Sequence, residues 1–421
     1  MKDDFTPPRG AGQLPRQPFM PVQSKPTKTQ TVPTTNDPAA ATQLHHTPES
    51  ELPPLRPTMP PPKAKGKGPK AWWHKFQGLS RNKKIVVISA LAGLLIATSG
   101  LVWYFVLRSE PTPAPAPIVK QEEPPKPSTI PSPLTGVQVK PELAELPTTG
   151  VMIENSPDAR PQSGLYNAGV VFEAIAEGGI TRFLTLYQES KPEYIGPVRS
   201  VRPYYLDFLA PFDAPIAHAG GSGAALSQIK SQRLKDLEAF QNPNYYQRVS
   251  NRYAPHNLYT SRSKLLALQK AKGWTKSTFT GFARKEEKKP TKAKVRSIDF
   301  SISGFLYNPH FDYDLKTNSY KRSQAGKPHA DEKARRQINP KTVVALVMSH
   351  RYSGVYSVYG ATGKGAAYFF QDGTVTKGTW EKKNRTSQFK FRAPTGEAAR
   401  LNPGQTWVSI VSSSGAVTYK P

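Results

Sequence analysis

An uncharged apolar stretch at residues 85–107, IVVISALAGLLIATSGLVWYFVL, constrains this chain more than any other feature. A helix of these 23 residues is about 35 Å long, enough to cross a hydrocarbon core of about 30 Å. A buried core helix is the alternative, but polar, proline-rich segments on both sides disfavour it. The 84 residues that precede the stretch disfavour a cleaved signal peptide. We therefore predict one transmembrane helix.

The flanking charges predict the direction of this helix. Eight Lys and Arg and no acidic residues lie between residues 63 and 84, whereas Arg108 on the other side is soon followed by Glu110. The positive-inside rule therefore predicts a single-pass plasma-membrane protein with a cytoplasmic N-terminus and residues 108–421 outside. We interpret the basic run as a contact with anionic lipid headgroups rather than with nucleic acid.

Proline separates the regions that fold from those that do not. Of 43 prolines, 16 lie within residues 1–84 and nine within residues 111–133, and the mean hydropathy is −0.55. Such segments bury too little apolar surface to offset the entropy of ordering, so both are predicted to be disordered or extended. The second could act as a spacer of up to about 70 Å in polyproline II conformation.

The absence of cysteine and the positive net charge restrict the kinds of site and partner that this chain can have. The chain has no Cys, which excludes disulfides, thiolate metal sites and a cysteine nucleophile. The net charge of +28 divides into +9 for residues 1–84 and +19 for residues 108–421, so an anionic partner fits either side of the membrane.

The two halves of the region after residue 145 have different sequence patterns. Its first half has short apolar runs and helix-like stretches, which favour an α/β (or α+β) domain. The runs are Gly150–Glu154, Phe183–Gln188 and Ala214–Ala219, and the helix-like stretches are Gly169–Ala176, Ser222–Arg233 and Ser261–Ala271. Its second half is rich in β-branched and aromatic residues with a hairpin turn at Asp372-Gly373, which predicts a mostly antiparallel β domain.

These patterns predict six consecutive segments. They are a disordered basic cytoplasmic segment (1–84), a transmembrane helix (85–107), a proline-rich extracytoplasmic linker (108–145), an α/β N-terminal domain (146–283), a basic solvated linker (284–294) and a β-rich C-terminal domain (295–421).

Several motifs occur in an order that resembles the YerB-like lipoprotein family of bacterial extracytoplasmic proteins. They are VMIENSPDARPQSGL (Val151–Leu165), VFEAIAEGGITRF (Val171–Phe183), GPVRSVRPYYLDFL (Gly196–Leu209), HAGGS (His218–Ser222), PHNLYTS (Pro255–Ser261), GKPHAD (Gly326–Asp331) and LNPGQTWV (Leu401–Val408). The resemblance implies an extracytoplasmic location and an N- and C-terminal domain architecture, but no reaction. Lipoprotein members would carry a lipidated cysteine where this chain has a helix.

Part of the chain is also similar to the LytR-CpsA-Psr enzymes, which transfer glycopolymers from polyprenyl-pyrophosphate carriers. That resemblance implies that Arg182, Arg199 and Arg202 hold a pyrophosphate and that an acid helps to place Mg²⁺. Here Thr181 and Phe183 flank the first arginine, so the acid expected beside it is missing.

Arginines and a glycine-rich loop are the candidate anion-binding groups. The planar fork of Arg suits phosphates, and a glycine-rich helix start offers free N–H groups. The candidates are Arg160, Arg182, Arg199, Arg202, Gly220, Gly221 and Ser222. The alternatives are salt bridges to Glu154, Glu173, Glu177 or Asp207 for the arginines, and an ordinary N-cap for Ser222.

The other candidates are titratable or polar groups. His218 and His256 are candidate acid/base residues. The alternative for His256 and its neighbour Asn257 is a structural role in which they hold a loop in place. His329 and Asp331 form a His-x-Asp pair that has too few ligands for a metal site, so no metal is predicted. Nucleophile-elbow, Walker, HExxH and dinucleotide motifs are absent from the sequence.

The sequence therefore predicts a membrane-anchored envelope protein that binds an anionic wall precursor or polymer. One alternative is a phosphotransferase acting on polyprenyl-pyrophosphate-linked glycopolymers, which alone would call for Mg²⁺. A second alternative is a scaffold that binds only other envelope proteins.

Overall fold

The computed structural model describes residue 73 and residues 75–108 and 128–421. Contacts divide the chain into two units, residues 1–118 and residues 119–421. The predictions for residues 1–72 and 109–127, which include most of the two proline-rich segments, lie outside the described residues.

The apolar stretch forms one continuous helix, α1, Arg81–Leu107. Its 27 residues correspond to about 40 Å. Within the described ranges it is the one helix that is long and apolar enough to cross a membrane, and none of its side chains is buried. The segment is therefore not a buried core helix.

The described residues of the second unit, 128–421, contain 22 strands and four α-helices. The helices are α2 (Pro141–Ala144), α3 (Pro203–Leu209), α4 (Gly223–Ser231) and α5 (Arg262–Ala271). The strands are β1 (Ile130–Pro131), β2 (Gln138–Val139), β3 (Thr149–Glu154), β4 (Val170–Glu177), β5 (Ile180–Tyr187), β6 (Ile216–Ala217), β7 (Gln247–Arg248), β8 (Leu258–Tyr259), β9 (Ser297–Phe300), β10 (Pro309–Asp314), β11 (Ser319–Gln324), β12 (Lys327–Pro328), β13 (Ala330–Asp331), β14 (Arg336–Gln337), β15 (Thr342–Val347), β16 (His350–Ser353), β17 (Tyr356–Tyr359), β18 (Gly363–Gln371), β19 (Thr374–Lys382), β20 (Lys390–Arg392), β21 (Thr406–Val411) and β22 (Val417–Lys420).

One eleven-stranded sheet takes strands from both predicted domains. Nine strands follow in the spatial order β20-β19-β18-β15-β21-β4-β5-β3-β6, and the hairpin β16–β17 attaches to β4. The two halves connect through the parallel pairing of β21 with β4, and β17 also pairs with β4. The N-terminal region is mixed α/β and the C-terminal region is mostly antiparallel, and the large sheet continues from one region into the other.

A second, five-stranded sheet covers one face of this large sheet. Its order is β12-β11-β10-β9-β22. The two sheets meet through aromatic side chains, with Phe300 against Phe370 at 6.0 Å and Phe311 against Trp407 at 6.5 Å between ring centroids. On the opposite face, Phe208 of α3 stacks on Phe172 of β4 at 5.3 Å. The large sheet is thus the middle layer of the unit.

The prediction of a helix at Gly169–Ala176 is wrong, because these residues form most of strand β4. The strand pairs on both edges, with β21 and β5, and seven of its eight residues are buried. A short apolar run that is buried on both faces has the same pattern in a strand and in a core helix. The helices predicted at Ser222–Arg233 and Ser261–Ala271 are present as α4 and α5.

Two predicted linkers pack on the fold for part of their length. Leu134, between β1 and β2, is fully buried, so the folded unit begins well before residue 146. In the segment 284–294, Arg284 donates to the carbonyl oxygen of Asn402 at 2.8 Å, and Lys285 binds Asp372 at 2.6 Å. The second linker is thus attached to the sheet rather than free in solvent.

A buried ion pair connects the two sheets. Arg322 of β11 donates to both carboxylate oxygens of Glu173 in β4, at 2.8 and 3.1 Å, and both side chains are fully buried. The indole N–H of Trp407 donates to the same carboxylate at 2.9 Å, and its ring lies 4.7 Å from the Arg322 guanidinium carbon. A buried charge pair tolerates the loss of water only when hydrogen bonds of this kind satisfy it.

We expect Arg322→Ala to destabilise residues 128–421 by about 3–5 kcal/mol, because it leaves the Glu173 carboxylate buried without a counter-charge. The free energy of unfolding in urea measures this change. The matched control is Arg400→Ala at an exposed position, for which we expect less than about 0.5 kcal/mol. Equal effects of the two substitutions would contradict the role of the ion pair.

Candidate functional site

Two of the predicted arginines bind one carboxylate. Arg182 of β5 donates to both oxygens of Glu177, with Nη1 at 2.9 Å from Oε2, and Arg202 Nη2 donates to Oε2 at 2.5 Å. Burial raises the pKa of Glu177, but the charges and hydrogen bonds of Arg182 and Arg202 outweigh it and hold the pKa below its ordinary value. Two cations facing one anion leave an excess of one positive charge.

Arg202 is held rigidly at the start of α3. Its Nη1 donates to the carbonyl oxygen of Val201 at 2.8 Å, and its guanidinium carbon lies 5.3 Å from the ring centroid of Tyr356 in the β16–β17 hairpin. Burial and the neighbouring charge of Arg182 lower the pKa of Arg202, while Glu177 opposes that change. Its Nε has no acceptor among the described residues.

The glycine-rich loop leads into α4. Ser222 is the N-cap of this helix, and its Oγ accepts from the amide of Ala225 at 3.3 Å. The Gly220 amide donates to the Glu238 carboxylate at 3.1 Å, so the chain itself supplies the anion at that position. In the described part of the chain, the amides of Gly223 and Ala224 have no acceptor, and both residues are exposed. The free donors therefore lie just beyond the three residues that the sequence indicated.

Of these groups, Arg202, Ser222, Gly223 and Ala224 line one pocket of about 360 Å³, here called the arginine pocket. Its walls are formed by the start of α3, the start of α4 and the β16–β17 hairpin. The lining residues are Arg202, Pro203, Tyr204, Asp207, Ser222, Gly223, Ala224, Ser353, Tyr356, Ser357, Val358 and Tyr359. Burial raises the pKa of Asp207, so its negative charge is lost more readily than that of an exposed carboxylate. The pocket can offer an anion a buried guanidinium and two backbone N–H groups.

A second group of predicted residues, here called the Glu154 cluster, surrounds the end of β3. Glu154 is buried and accepts the hydroxyl of Ser156 at 2.9 Å. Its carboxylate lies 3.0 Å from Nδ1 of His256 and 3.2 Å from Nε of Arg199. The terminal nitrogens of Arg199 have no protein acceptor in the described ranges, and its side chain is 23% exposed.

The Glu154 cluster can orient a proton acceptor. When Nδ1–H of His256 donates to Glu154, the lone pair of the ring is on Nε2, which lies 4.0 Å from Asp158. A histidine held in this way next to a free guanidinium is an arrangement that suits general acid/base chemistry on an anion.

The two groups lie at the same end of the central strands. Glu154 is directly opposite Arg182 in the β3–β5 pairing. Arg182 Nη1 also lies 3.3 Å from the carbonyl oxygen of Ser200, which follows Arg199 in the chain. The arginine pocket and the Glu154 cluster are thus connected through Arg182.

Three other predicted residues tie loops together. Arg160 donates to the carbonyl oxygens of Asn155 at 2.8 Å and Leu306 at 2.7 Å. Asn257 Oδ1 accepts from Arg248 at 2.7 Å. His218 is fully buried, with Nδ1 2.8 Å from the carbonyl oxygen of Gly220 and Nε2 2.9 Å from Asp236. Neither the arginine pocket nor the Glu154 cluster includes these side chains.

His329 and Asp331 have separate partners. His329 is buried against Arg322, and its Nε2 lies 2.8 Å from Gln162 Oε1. Asp331 accepts the amides of Tyr166 and Ala334, each at 3.0 Å. Within the described ranges, His, Asp and Glu side chains form no group of three or more that could hold a metal ion.

Sequence reasoning missed the hairpin wall of the arginine pocket. Tyr356 meets Arg202 across more than 150 positions of chain, and the β16–β17 segment contains no motif that points to this contact. The Gly223 and Ala224 amides could have been found, since free N–H groups follow any N-cap residue.

Known proteins share this architecture. Residues 134–275 match the family "Protein of unknown function (DUF3048) N-terminal domain", and residues 298–408 match the corresponding C-terminal domain. The chain is 30% identical over 295 residues to "Putative lipoprotein YerB" of Bacillus subtilis (strain 168), covering 68% of this chain and 88% of that protein. The crystal structure of the YerB protein superposes with a TM-score of 0.62 at 27% identity, covering 69% of this chain and 99% of that chain. The chain belongs to the DUF3048 family, and the resemblance drawn from its motifs is confirmed.

The buried His329 predicts a pH dependence of stability. Burial, then the charges of Arg322 and Arg160, lower the pKa of His329 well below its ordinary value, so the folded state keeps it neutral. As the pH falls below about 6.5, the unfolded chain binds this proton and the folded chain does not, so stability falls by up to about 1.4 kcal/mol per pH unit. We expect His329→Gln to remove this slope between pH 7 and 5 in urea unfolding.

His310 provides a control of opposite sign. Burial lowers the pKa of His310, but hydrogen bonds to Asp299 and Asp312 outweigh burial and raise it. Its contribution to stability is therefore present in acid and is lost as the pH rises through its folded-state pKa. His310→Gln should make the protein less stable in acid, and the same response from both variants would contradict the assignment.

Proposed function

We propose that this DUF3048 protein is a membrane-anchored, extracytoplasmic envelope protein that binds an anionic wall precursor or polymer in the arginine pocket. One observation carries the proposal: the buried guanidinium of Arg202 and the free amides of Gly223 and Ala224 line the same pocket. A phosphate or pyrophosphate group is the ligand chemistry that such donors suit best.

The location is supported by three features of the chain. The apolar surface of α1 is uncovered, and basic residues without acids precede it. The relative YerB is named a lipoprotein, so a lipid would anchor that protein where a helix would anchor this one. The folded unit carries most of the net positive charge, as suits a partner among acidic wall polymers.

The absence of cysteine allows a direct test of topology. We expect a cysteine introduced at the exposed Tyr253 to react with a membrane-impermeant maleimide on intact cells, because residues 108–421 lie outside. A cysteine introduced at Ser50 should react only after lysis. After labelling, the protein is purified, and a gel shift measures how much of each cysteine has reacted. The reverse pattern would contradict the proposed orientation.

Binding to the arginine pocket can be tested with inorganic pyrophosphate and with polyprenyl pyrophosphate, titrated against residues 128–421. We expect Arg202→Ala to weaken binding of either ligand at least about tenfold, because a charge-assisted hydrogen bond is lost. Arg400→Ala, at an exposed position, should bind as the wild type does.

A second pair of variants tests the backbone donors. Gly223 is the first residue of α4, where proline is tolerated, and a Cβ there meets open space. Gly223→Pro removes one N–H and should weaken binding, whereas Gly223→Ala keeps the N–H and should not. If neither Arg202→Ala nor Gly223→Pro changes affinity, the pocket is not the site. If no ligand binds at all, the scaffold alternative is favoured.

The phosphotransferase alternative draws on the Glu154 cluster. His256, oriented by Glu154 and next to the free end of Arg199, could take the proton of an acceptor hydroxyl as its oxygen bonds to the phosphorus that carries the glycopolymer. The P–O bond to the second phosphate then breaks, and polyprenyl phosphate is the leaving group. Binding of polyprenyl pyrophosphate that requires Mg²⁺ and is lost in Arg199→Ala would favour this enzyme over simple binding.

A further inference from the structure

The β16–β17 hairpin has an apolar tip that contacts little of the protein. Residues 351–356 are all exposed, and three of them are large apolar side chains: Tyr352 is 58% exposed, Val355 64% and Tyr356 42%. The turn is made by Gly354, whose φ of +59° is a conformation that glycine adopts without a steric penalty. Single exposed apolar residues are common, but three within five positions at a projecting turn form a patch.

The hairpin is held to the rest of the unit mainly through its base, where Tyr359 is buried and its hydroxyl accepts the Ile175 amide at 3.1 Å. Tyr356 pairs with Glu177 of β4, and the Gly178 amide donates to the carbonyl oxygen of Val355 at 3.2 Å. The Tyr356 ring also packs on the Arg202 guanidinium, so this side of the hairpin is one wall of the arginine pocket. Tyr352 rests on His350 of its own hairpin at 4.8 Å between ring centroids. Tyr352 and Val355, each more than half exposed, therefore lie beside the pocket with most of their side-chain surface in water.

We propose that this tip inserts into the interface of an anionic phospholipid bilayer and so presents the arginine pocket to lipid-linked phosphate groups. The proposal rests on the membrane anchoring argued above. Residues 108–127 connect α1 to the folded unit, and 20 residues reach at most about 70 Å when fully extended. A bilayer that holds α1 therefore stays within reach of the folded unit.

The composition of the tip and the charge of the folded unit favour a bilayer as the surface that the tip contacts. Tyr is enriched at membrane interfaces, because its ring is apolar and its hydroxyl reaches the headgroups. Arg351, next to the apolar side chains, can meet lipid phosphates, and residues 108–421 carry a net charge of +19. An anionic surface thus complements both the tip and the unit that bears it.

Vesicle co-sedimentation tests the proposal with residues 128–421, which lack α1. The crystal structure of YerB covers 69% of this chain, so a unit of this extent folds without the helix. We expect binding to vesicles of phosphatidylcholine with phosphatidylglycerol but not to phosphatidylcholine alone. The double substitution Tyr352→Ser and Val355→Ser should lower the partition coefficient by about tenfold or more, because it removes the buried apolar area.

A matched control comes from another exposed apolar pair. Val137 and Leu315 are 41% and 40% exposed. They adjoin the starts of β21 and β15, which lie at the Val170 end of β4, whereas the hairpin pairs with Glu177 at the other end. Changing both to Ser should leave vesicle binding within about twofold of the wild type. Because the chain lacks cysteine, a fluorescent NBD label on Val355→Cys reports insertion directly, through a blue shift that the same label on Leu315→Cys should not show.

The outcomes separate this proposal from the proposed function. The tip variant should bind inorganic pyrophosphate as the wild type does, whereas Arg202→Ala should lose that binding. Unchanged vesicle binding in the tip variant, or no blue shift at position 355, overturns the membrane contact and leaves the anion pocket standing. If the tip variant instead abolishes a dimer seen by size-exclusion chromatography, the tip is a contact between copies, which also overturns the proposal.

Discussion

The ion pair between Glu173 and Arg322 is the interaction on which the two-sheet structure depends. Both charges are fully buried, and each would be costly alone in a medium of low dielectric constant. Trp407 contributes a hydrogen bond to the carboxylate and an aromatic face to the guanidinium, so strands β4, β11 and β21 meet at one point. Because these strands come from both halves of the folded region, the halves cannot pack independently while the pair is intact.

The candidate site follows from that arrangement. With β21 paired to β4, the C-terminal hairpin β16–β17 comes to lie beside the N-terminal helices α3 and α4. Arg202 is then covered by Tyr356 and balanced by Glu177, which it shares with Arg182. The result is a fixed cation with an incomplete set of counter-charges at the start of a helix. The chain fills the neighbouring anion position itself, since Glu238 accepts the Gly220 amide.

Sequence reasoning found most of the elements where periodicity and turn chemistry were strong. The two-residue turn Asp372-Gly373 appears between β18 and β19, with φ values of +53° and +60°, as a hairpin of this length requires. Sequence reasoning mistook β4 for a helix, because a strand that is buried on both faces has no alternation to detect. It also began the folded unit too late, since a short β1–β2 hairpin with two prolines nearby has the composition of a linker.

The amino-acid sequence by itself determined the apolar helix, the basic balance, the family and the arginines that are candidates for anion binding. These properties depend on composition and on local spacing, which a linear chain displays directly. Only the tertiary structure decided which arginines share a carboxylate, which histidine is held by Glu154 and which amides remain free. Those outcomes depend on contacts between residues far apart in the chain, such as Arg202 and Tyr356, and no local pattern encodes them.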